Sequence, residues 1–191
     1  MMPVVITCDK QGKNAVDLHS YEFFELRRIH LTGEVNDTSA DEIIAQIEYL
    51  ARKSSDDITL IINSPGGAVS AGLAIYDAIR RCGCDVSTVC TGIAASMGAF
   101  LLSSGTRGKR CITPMAEVMI HQPLGGVQGQ ASDIARAAAH INVVKERLND
   151  ILAENTGKPV EVIARDTDRD TYLSAAEAVE YGLVDSIIDR M

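Results

Sequence analysis

This 191-residue chain lacks a long apolar run, an excess of basic charge, an internal repeat and a linker, and each absence removes a class of function. The greasiest run, Met97 to Leu102, breaks at Ser103-Ser104-Gly105. That is far short of the roughly 20 apolar residues needed to span a bilayer. The N-terminus, MMPVVITCDKQGKN, has neither the basic start nor the apolar stretch of a signal peptide, so a cytoplasmic location is expected. Eighteen Lys and Arg stand against 26 Asp and Glu, a net charge of −8, which excludes the basic face of a nucleic-acid binder. No Pro- or Ser-rich stretch divides the chain, and a balance of 46% apolar to 23% charged residues is that of an ordinary globular domain. Residues 1–191 are therefore read as one domain with a real core.

Paired cysteine motifs are also missing. Cys8, Cys82, Cys84, Cys90 and Cys111 form an odd, scattered set in which Cys82-Gly83-Cys84 is the only close pair. A C-x-C without a second pair or nearby histidines makes neither a metal centre nor a disulfide framework. Free thiols in a reducing compartment, and no metal site, are the expectation.

What is present is an alternation of buried strands and helices, the mark of an α/β fold. Leu26–Thr32 reads as a strand ending at Gly33. A capping box at Ser39 and Glu42 opens an amphipathic helix to about Arg52. Ile58–Ile62 is a fully buried strand running into a sharp Asn63-Ser64-Pro65-Gly66-Gly67 turn, and a helix follows over Val69–Arg81. Val86–Thr91 is the next buried strand, closed by Gly92, with a helix from Ser96 to about Ser104. Strands at Lys109–Ile112 and Glu117–Ile120 lead to His121. The strip Gly125–Gln130 is too rich in glycine for an ordinary strand interior. A long helix, Ser132 to Asn155, then runs to a stop at Gly157 and reads as a protrusion. Short helices over Pro159–Arg165 and Ser174–Tyr181, the second with a capping box at Ser174 and Glu177, precede a last strand at Val184–Ile188.

One serine stands out chemically. Ser96 lies among Ala94, Ala95, Gly98 and Ala99, which clear space for a substrate carbonyl as a nucleophile requires. It is not the G-x-S-x-G elbow, because Ala94 stands where glycine would be, so an α/β-hydrolase is disfavoured. The paired glycines of Asn63–Gly67 allow backbone N–H groups to face an oxyanion, and without a P-loop lysine phosphate binding is not expected. Among the histidines, His19 and His30 lie near the N-terminus and His140 sits inside the long helix. His121 alone ends a buried strand at a Pro-Gly loop, the usual place for a working side chain. For a third member, Asp166, Asp168, Asp170 and Asp185 all remain open, since spacing does not choose among them.

The motifs NSPGG, GIAASMGAFLL, KR-x-x-x-P-x-AEVMIHQPLGG-x-x-GQA, RDTDRD and SAAEAVEYGLVD cover the chain from about Gly33 to Ile188. In this order they resemble the motif series of the ClpP family of self-compartmentalised serine peptidases. The resemblance implies Ser96 as nucleophile, His121 as general base and Asp170 as orienting carboxylate. It implies an oxyanion hole from the backbone N–H groups of Gly67 and Met97. It further implies substrate pairing as an added strand along Gly67, Val69, Pro123 and Leu124, a mode in which main-chain bonds carry the affinity. The implied fold is crotonase-like, with repeated β-β-α units and a protruding handle helix. Residues 1–25 would be an axial N-terminal segment, 26–124 and 157–191 the head, and 125–156 the handle. The implied assembly is two stacked heptameric rings enclosing a chamber, with Gln130, Asp168 and Arg169 at the ring–ring contact. Unfolded polypeptides would be the substrate, delivered by a hexameric AAA+ unfoldase such as ClpX, ClpA or ClpC. No cofactor is needed for the bond cleavage.

The chain departs from the family pattern at two places. Asp17–Arg28 looks about two residues longer than usual. Thr59 and Ile61 stand where the family often carries aromatic residues lining an unfoldase dock. A divergent paralogue, pairing with itself or in mixed rings, is one expectation. Almost nothing precedes the family's mature N-terminus, so removal of a long propeptide is not expected. Two other functions stand beside the peptidase. One is a catalytically quiet scaffold subunit, which the filled Ser, His and Asp positions disfavour. The other is a crotonase-type acyl-CoA enzyme, which would use carboxylates rather than a Ser-His pair.

Overall fold

The computed structural model describes residues 3–9 and 12–189, with the side chains of residues 7–9, and so the Cys8 thiol, outside the described set. The chain opens with an antiparallel pair, β1 (Val4–Asp9) and β2 (Gly12–Asp17), followed by α1 (Leu18–Leu26). Asp17 caps α1 by accepting from the Ser20 N–H at 3.0 Å. The helix ends at Arg27, which adopts a left-handed φ of 52°. Three strand–helix repeats follow: β3 (Arg28–Val35) with α2 (Asp37–Lys53), β4 (Ile58–Gly67) with α3 (Val69–Arg81), and β5 (Val86–Ala95) with α4 (Met97–Ser103). Then come β6 (Arg110–Ile112), β7 (Glu117–Ile120), α5 (Ala131–Thr156), α6 (Val160–Asp166), β8 (Thr171–Ser174), α7 (Ala175–Tyr181) and β9 (Ser186–Ile187).

Bends within the strands organise the sheet. The β3–β4 register shifts between Thr32 and Glu34, and the β4–β5 register between Ile62 and Ser64. The first halves run side by side in the order β3-β4-β5-β6-β9, all parallel. Beyond its bend β5 leaves β6 and pairs with β7, which continues antiparallel into β8. Each long strand therefore acts as two consecutive strands followed by a helix, the β-β-α repeat of a crotonase-like α/β fold. Bulges of this kind re-aim a strand without ending it.

That corrects several sequence expectations. Gly33 and Gly92 do not close their strands; they sit at the bends, and the backbone resumes pairing beyond them. Asn63–Gly67 is not a sharp turn but the second half of β4, with Gly66 opposite Glu34 and Gly67 opposite Val35. The helix cap of α2 lies earlier than expected: Asn36 is the N-cap and Ser39 its reciprocal partner, because Ser39 already belongs to the helix. The final strand shrinks from Val184–Ile188 to Ser186–Ile187.

The core forms where the buried faces of α2, α3 and α4 meet the sheet. Ile43, Ile47 and Leu50 of α2, Ile75 and Ile79 of α3, and all of α4 are buried on Ile58, Leu60 and Ile62 of β4 and their neighbours. Burying one such aliphatic side chain stabilises by about 1.5–3 kcal/mol. Arg110, 5% exposed, meets Asp185 in a two-point ion pair and donates to the carbonyls of Ser103 and Asn155. It thereby ties β6, the ends of α4 and α5, and the C-terminal segment together. Helix α5 is different. Its only fully buried residues are Leu148, Asn149 and Leu152, near its C-terminal end, while its N-terminal part is mostly exposed.

Candidate active site

Three strand ends converge at one place. In the sheet, Ala95 at the end of β5 pairs with Met119 of β7, and Ile120 at the end of β7 pairs with Thr171 at the start of β8. Ser96, His121 and Asp170 each lie one residue beyond those paired positions. Register alone therefore gathers three residues that are 25 and 49 positions apart.

Their side chains form a continuous relay. His121 Nε2 lies 2.8 Å from Ser96 Oγ, and His121 Nδ1 lies 2.9 Å from Asp170 Oδ1. The His121 side chain is 13% exposed and that of Asp170 58%. A carboxylate can only accept, so Asp170 selects the tautomer with a proton on Nδ1, leaving Nε2 to accept from the serine hydroxyl. Of the four carboxylates open on spacing, the others are engaged elsewhere. Asp185 holds Arg110, Asp166 accepts from Arg165 and from the Tyr181 hydroxyl, and Asp168 takes hydrogen bonds from Gln122.

Ser96 is held in a sparsely populated backbone conformation, φ 54° and ψ −118°. Among the described residues only it and Arg27 combine a side chain with positive φ. Strain of this kind persists where the surroundings over-determine it. Here the Ser96 N–H donates to the Met119 carbonyl at 2.8 Å and its own carbonyl accepts from Phe100 of α4 at 3.1 Å. The chain must turn from strand to helix between those two bonds, and the turn aims Oγ at His121.

The glycines of Asn63–Gly67 let two backbones approach. At Gly66, a Cβ would lie 2.7 Å from Ser96 Cβ and 2.8 Å from the Met97 nitrogen. The end of β4 thus lies directly against the start of α4, with Gly67 and Met97 flanking the contact. Met97 is buried at the first position of α4, and Gly72 of α3 leaves room for its side chain. An apolar pocket beside Ser96 and His121 is lined by Val69, Met97, Phe100, Pro123 and Leu152. Leu124 is 82% exposed on the segment that follows His121. Gln130 is the N-cap residue of α5, its carbonyl accepting from Asp133 and Ile134. Asp168 and Arg169 lie on the loop before Asp170, facing solvent, in a loose 3.8 Å pair.

Gln122 is the residue sequence reasoning missed. Its backbone N–H donates to the Thr167 carbonyl and its side-chain amide to the Asp168 carbonyl at 2.8 Å, while its side-chain oxygen accepts from Lys145 of α5. It links the strand carrying His121, the loop carrying Asp170 and helix α5. Its position next to His121 was the available signal.

The remaining histidines go elsewhere: His140 is exposed on α5, and His19 and His30 gather at Glu22. Thr59 and Ile61 fall on β4 next to β3, Ile61 opposite His30. Cys82, Cys84, Cys90 and Cys111 are free, and Cys90 is fully buried. Burial pushes its thiol up to about 12, so it stays a thiol at neutral pH. Among the described residues no helix is long and apolar enough to cross a membrane.

This strand-end site, the bent parallel sheet and the exposed long helix belong to one continuous stretch of sequence. A family model described as Clp protease matches residues 10–191, nearly the whole chain, and the protein is thus a member of the Clp protease family.

Proposed function

We propose that this chain is a serine endopeptidase that cuts peptide bonds through an acyl-enzyme on Ser96. The observation that carries the reading is the hydrogen-bonded relay Ser96–His121–Asp170. His121 takes the serine proton through Nε2 as Oγ attacks the carbonyl, and returns it to the leaving amine. Asp170 holds the Nδ1 tautomer and stabilises the imidazolium that forms. The backbone N–H groups of Gly67 and Met97 serve the tetrahedral oxyanion, each worth about 3 kcal/mol of barrier. The apolar pocket beside Ser96 suits an apolar side chain next to the cleaved bond. Substrate enters as an extended strand between Gly67–Val69 and Pro123–Leu124, which suits unfolded polypeptides of many sequences.

The assembly we propose is a pair of stacked heptameric rings, formed from this chain alone or mixed with a paralogue, in the cytoplasm. Supporting it, α5 has no fully buried residue before Leu148, Ile134 and Val143 are exposed on it, and Leu124 and Val127 are exposed on the segment before it. Exposed apolar side chains on a helix that projects from the core are what a partner subunit would cover. The handle, residues 125–156, would meet the opposite ring, with Gln130, Asp168 and Arg169 at the contact. Because that loop also carries Asp170, ring contact would bear on the relay. A hexameric AAA+ unfoldase such as ClpX, ClpA or ClpC would feed the chamber.

The test is intact-protein mass spectrometry after treatment with a fluorophosphonate, on wild type and Ser96→Ala. A single adduct on wild type and none on the variant is expected, with turnover of a fluorogenic peptide reduced by about 10⁶ in the variant. Labelling of both proteins alike, or near-normal turnover by Ser96→Ala, would overturn the assignment. No adduct on either would favour the quiet scaffold subunit.

A further inference from the structure

A second cluster of chemically capable side chains lies outside the strand-end site. His19 on α1, Glu22 one turn later and His30 on β3 each offer a ligand atom, and the three atoms lie within 4.8 Å of one another. The sheet explains why. Along β3, Ile29 and Leu31 point into the core, so His30 faces the other side, where α1 packs on the strand. On α1, residues three apart share a face, which puts His19 above Glu22. Arg27, at the left-handed end of α1, fixes how the helix turns back. Its guanidinium donates to the carbonyls of Leu50, Ser54, Asp56 and Asp57.

The carboxylate of Glu22 is divided between two tasks. Oε2 faces both imidazoles, 3.2 Å from His30 Nε2 and 3.7 Å from His19 Nδ1, while Oε1 faces Arg28 Nη1 at 3.7 Å. Ligands about 2.1 Å from a tetrahedral ion sit roughly 3.4 Å from each other. The two Glu22–histidine separations already straddle that value. Arg28 plays the part of an outer partner that orients a ligating carboxylate. Glu22 is only 19% exposed and His19 is 59% exposed, so the site is anchored on its inner side and open to an entering ion on its outer side.

We propose that His19, Glu22 and His30 bind one divalent transition-metal ion, of which Zn²⁺ is the probe of choice, and that the ion staples α1 to β3. Two imidazoles and one carboxylate are the donor set that imidazole-preferring ions select. The expectation of no metal site came from the cysteines. This site uses residues 8 and 11 positions apart that only the α1–β3 reversal brings together. The consequence is structural: the ion would cross-link the N-terminal segment to the sheet edge, on the same side as Ile61 opposite His30.

The experiment is titration of the intact wild-type protein with Zn²⁺ by calorimetry and with Co²⁺ by visible absorption, with His121→Ala titrated alongside to separate any ligation at that imidazole. His19→Asn, Glu22→Gln and His140→Asn are run beside it. His19 is exposed, so its replacement leaves folding intact. One ion per chain in wild type and in His140→Asn is expected. Affinity should fall by more than about 100-fold in His19→Asn and Glu22→Gln, since outer partners of metal ligands alone are worth 10–100-fold. Zn²⁺ should also slow hydrogen exchange across α1 in wild type and not in His19→Asn. No binding by wild type, or binding unchanged in both ligand variants, would overturn the proposal and leave the cluster as a hydrogen-bonded contact of His30 with Glu22.

Discussion

Gly66→Ala tests the site through steric contact rather than by removing a reacting group. A Cβ at this position would lie 2.6 Å from the Ala95 carbonyl oxygen, 2.7 Å from Ser96 Cβ and 2.8 Å from the Met97 nitrogen, where ordinary contact begins at 3.4 Å. Two of the three atoms are backbone and the third is attached directly to it, so no side-chain rotation relieves the clash. The Ala95–Met97 segment must therefore recede by about 0.6–0.8 Å. Recession on that scale shifts Ser96 Oγ relative to His121 Nε2, toward the β7 side of β5, and spoils the alignment of their 2.8 Å hydrogen bond. A misplacement approaching 1 Å costs on the order of 10² in rate. The left-handed φ of +88° adds about 1–2 kcal/mol of backbone strain for a residue with a Cβ. The expected result is a 10- to 100-fold fall in both fluorophosphonate labelling rate and kcat/KM for a short peptide. The protein should remain folded and slightly less stable. Gly126→Ala is the control, because nothing lies within 4 Å of its added Cβ. A folded Gly66→Ala protein that labels within about twofold of wild type would refute the claim that β4 sets the position of Ser96.

Two further outcomes follow from other parts of the molecule. Asp185→Asn leaves the buried Arg110 guanidinium without its counter-charge, so a loss of about 3 kcal/mol and a fall of roughly 6–12 °C in Tm are expected by calorimetry. Burial alone would raise the Asp185 carboxyl, but hydrogen bonds from Arg110 and the Gly108 N–H outweigh it and hold it below the usual range. A carboxyl lowered by folding stabilises the protein above its unfolded value of about 3.9, and that contribution drains away as pH falls through the folded value. Wild type should therefore lose stability below about pH 4 more steeply than Asp185→Asn, and parallel curves would contradict this. Gln122→Leu removes the amide that holds the Asp168 backbone. The expected effect is a roughly 10-fold slower labelling of Ser96, smaller than that of a full ångström displacement, with peptide KM little changed. A KM effect alone would place Gln122 in substrate binding instead.

The fold class was legible because buried strands such as Ile58–Ile62 and amphipathic helices such as Val69–Arg81 carry their period in the residues themselves, and both keep those starts in the structure. Strand ends were less legible. Gly33, Gly92 and the glycines of Asn63–Gly67 read as breakers, since a glycine's local meaning is freedom of φ. Whether that freedom ends a strand or bends it depends on neighbours 25 or more residues away. The β1–β2 pair and α1 went unread for a related reason. Their residues are mostly exposed or partly exposed, so no apolar period marks them.

The same distinction governs the site. Ser96 and His121 could be picked out because each carries a local signature: small residues around a serine, and a histidine at a strand end. Asp170 has none, being one of four aspartates in similar polar surroundings, and residue types left the choice open. What separates it is register. The antiparallel step that sets Ile120 opposite Thr171 brings the next position, Asp170, to the next position, His121. A shift of one residue in β8 would turn its side chains to the other face of the sheet and put Arg169 or Thr171 at the imidazole. The pairing of two four-residue strands therefore decides which carboxylate meets the histidine. Gln122 and Thr167 sit just past that pairing, bonded to each other through the backbone at 2.6 Å. They hold the register at the end where the relay needs it.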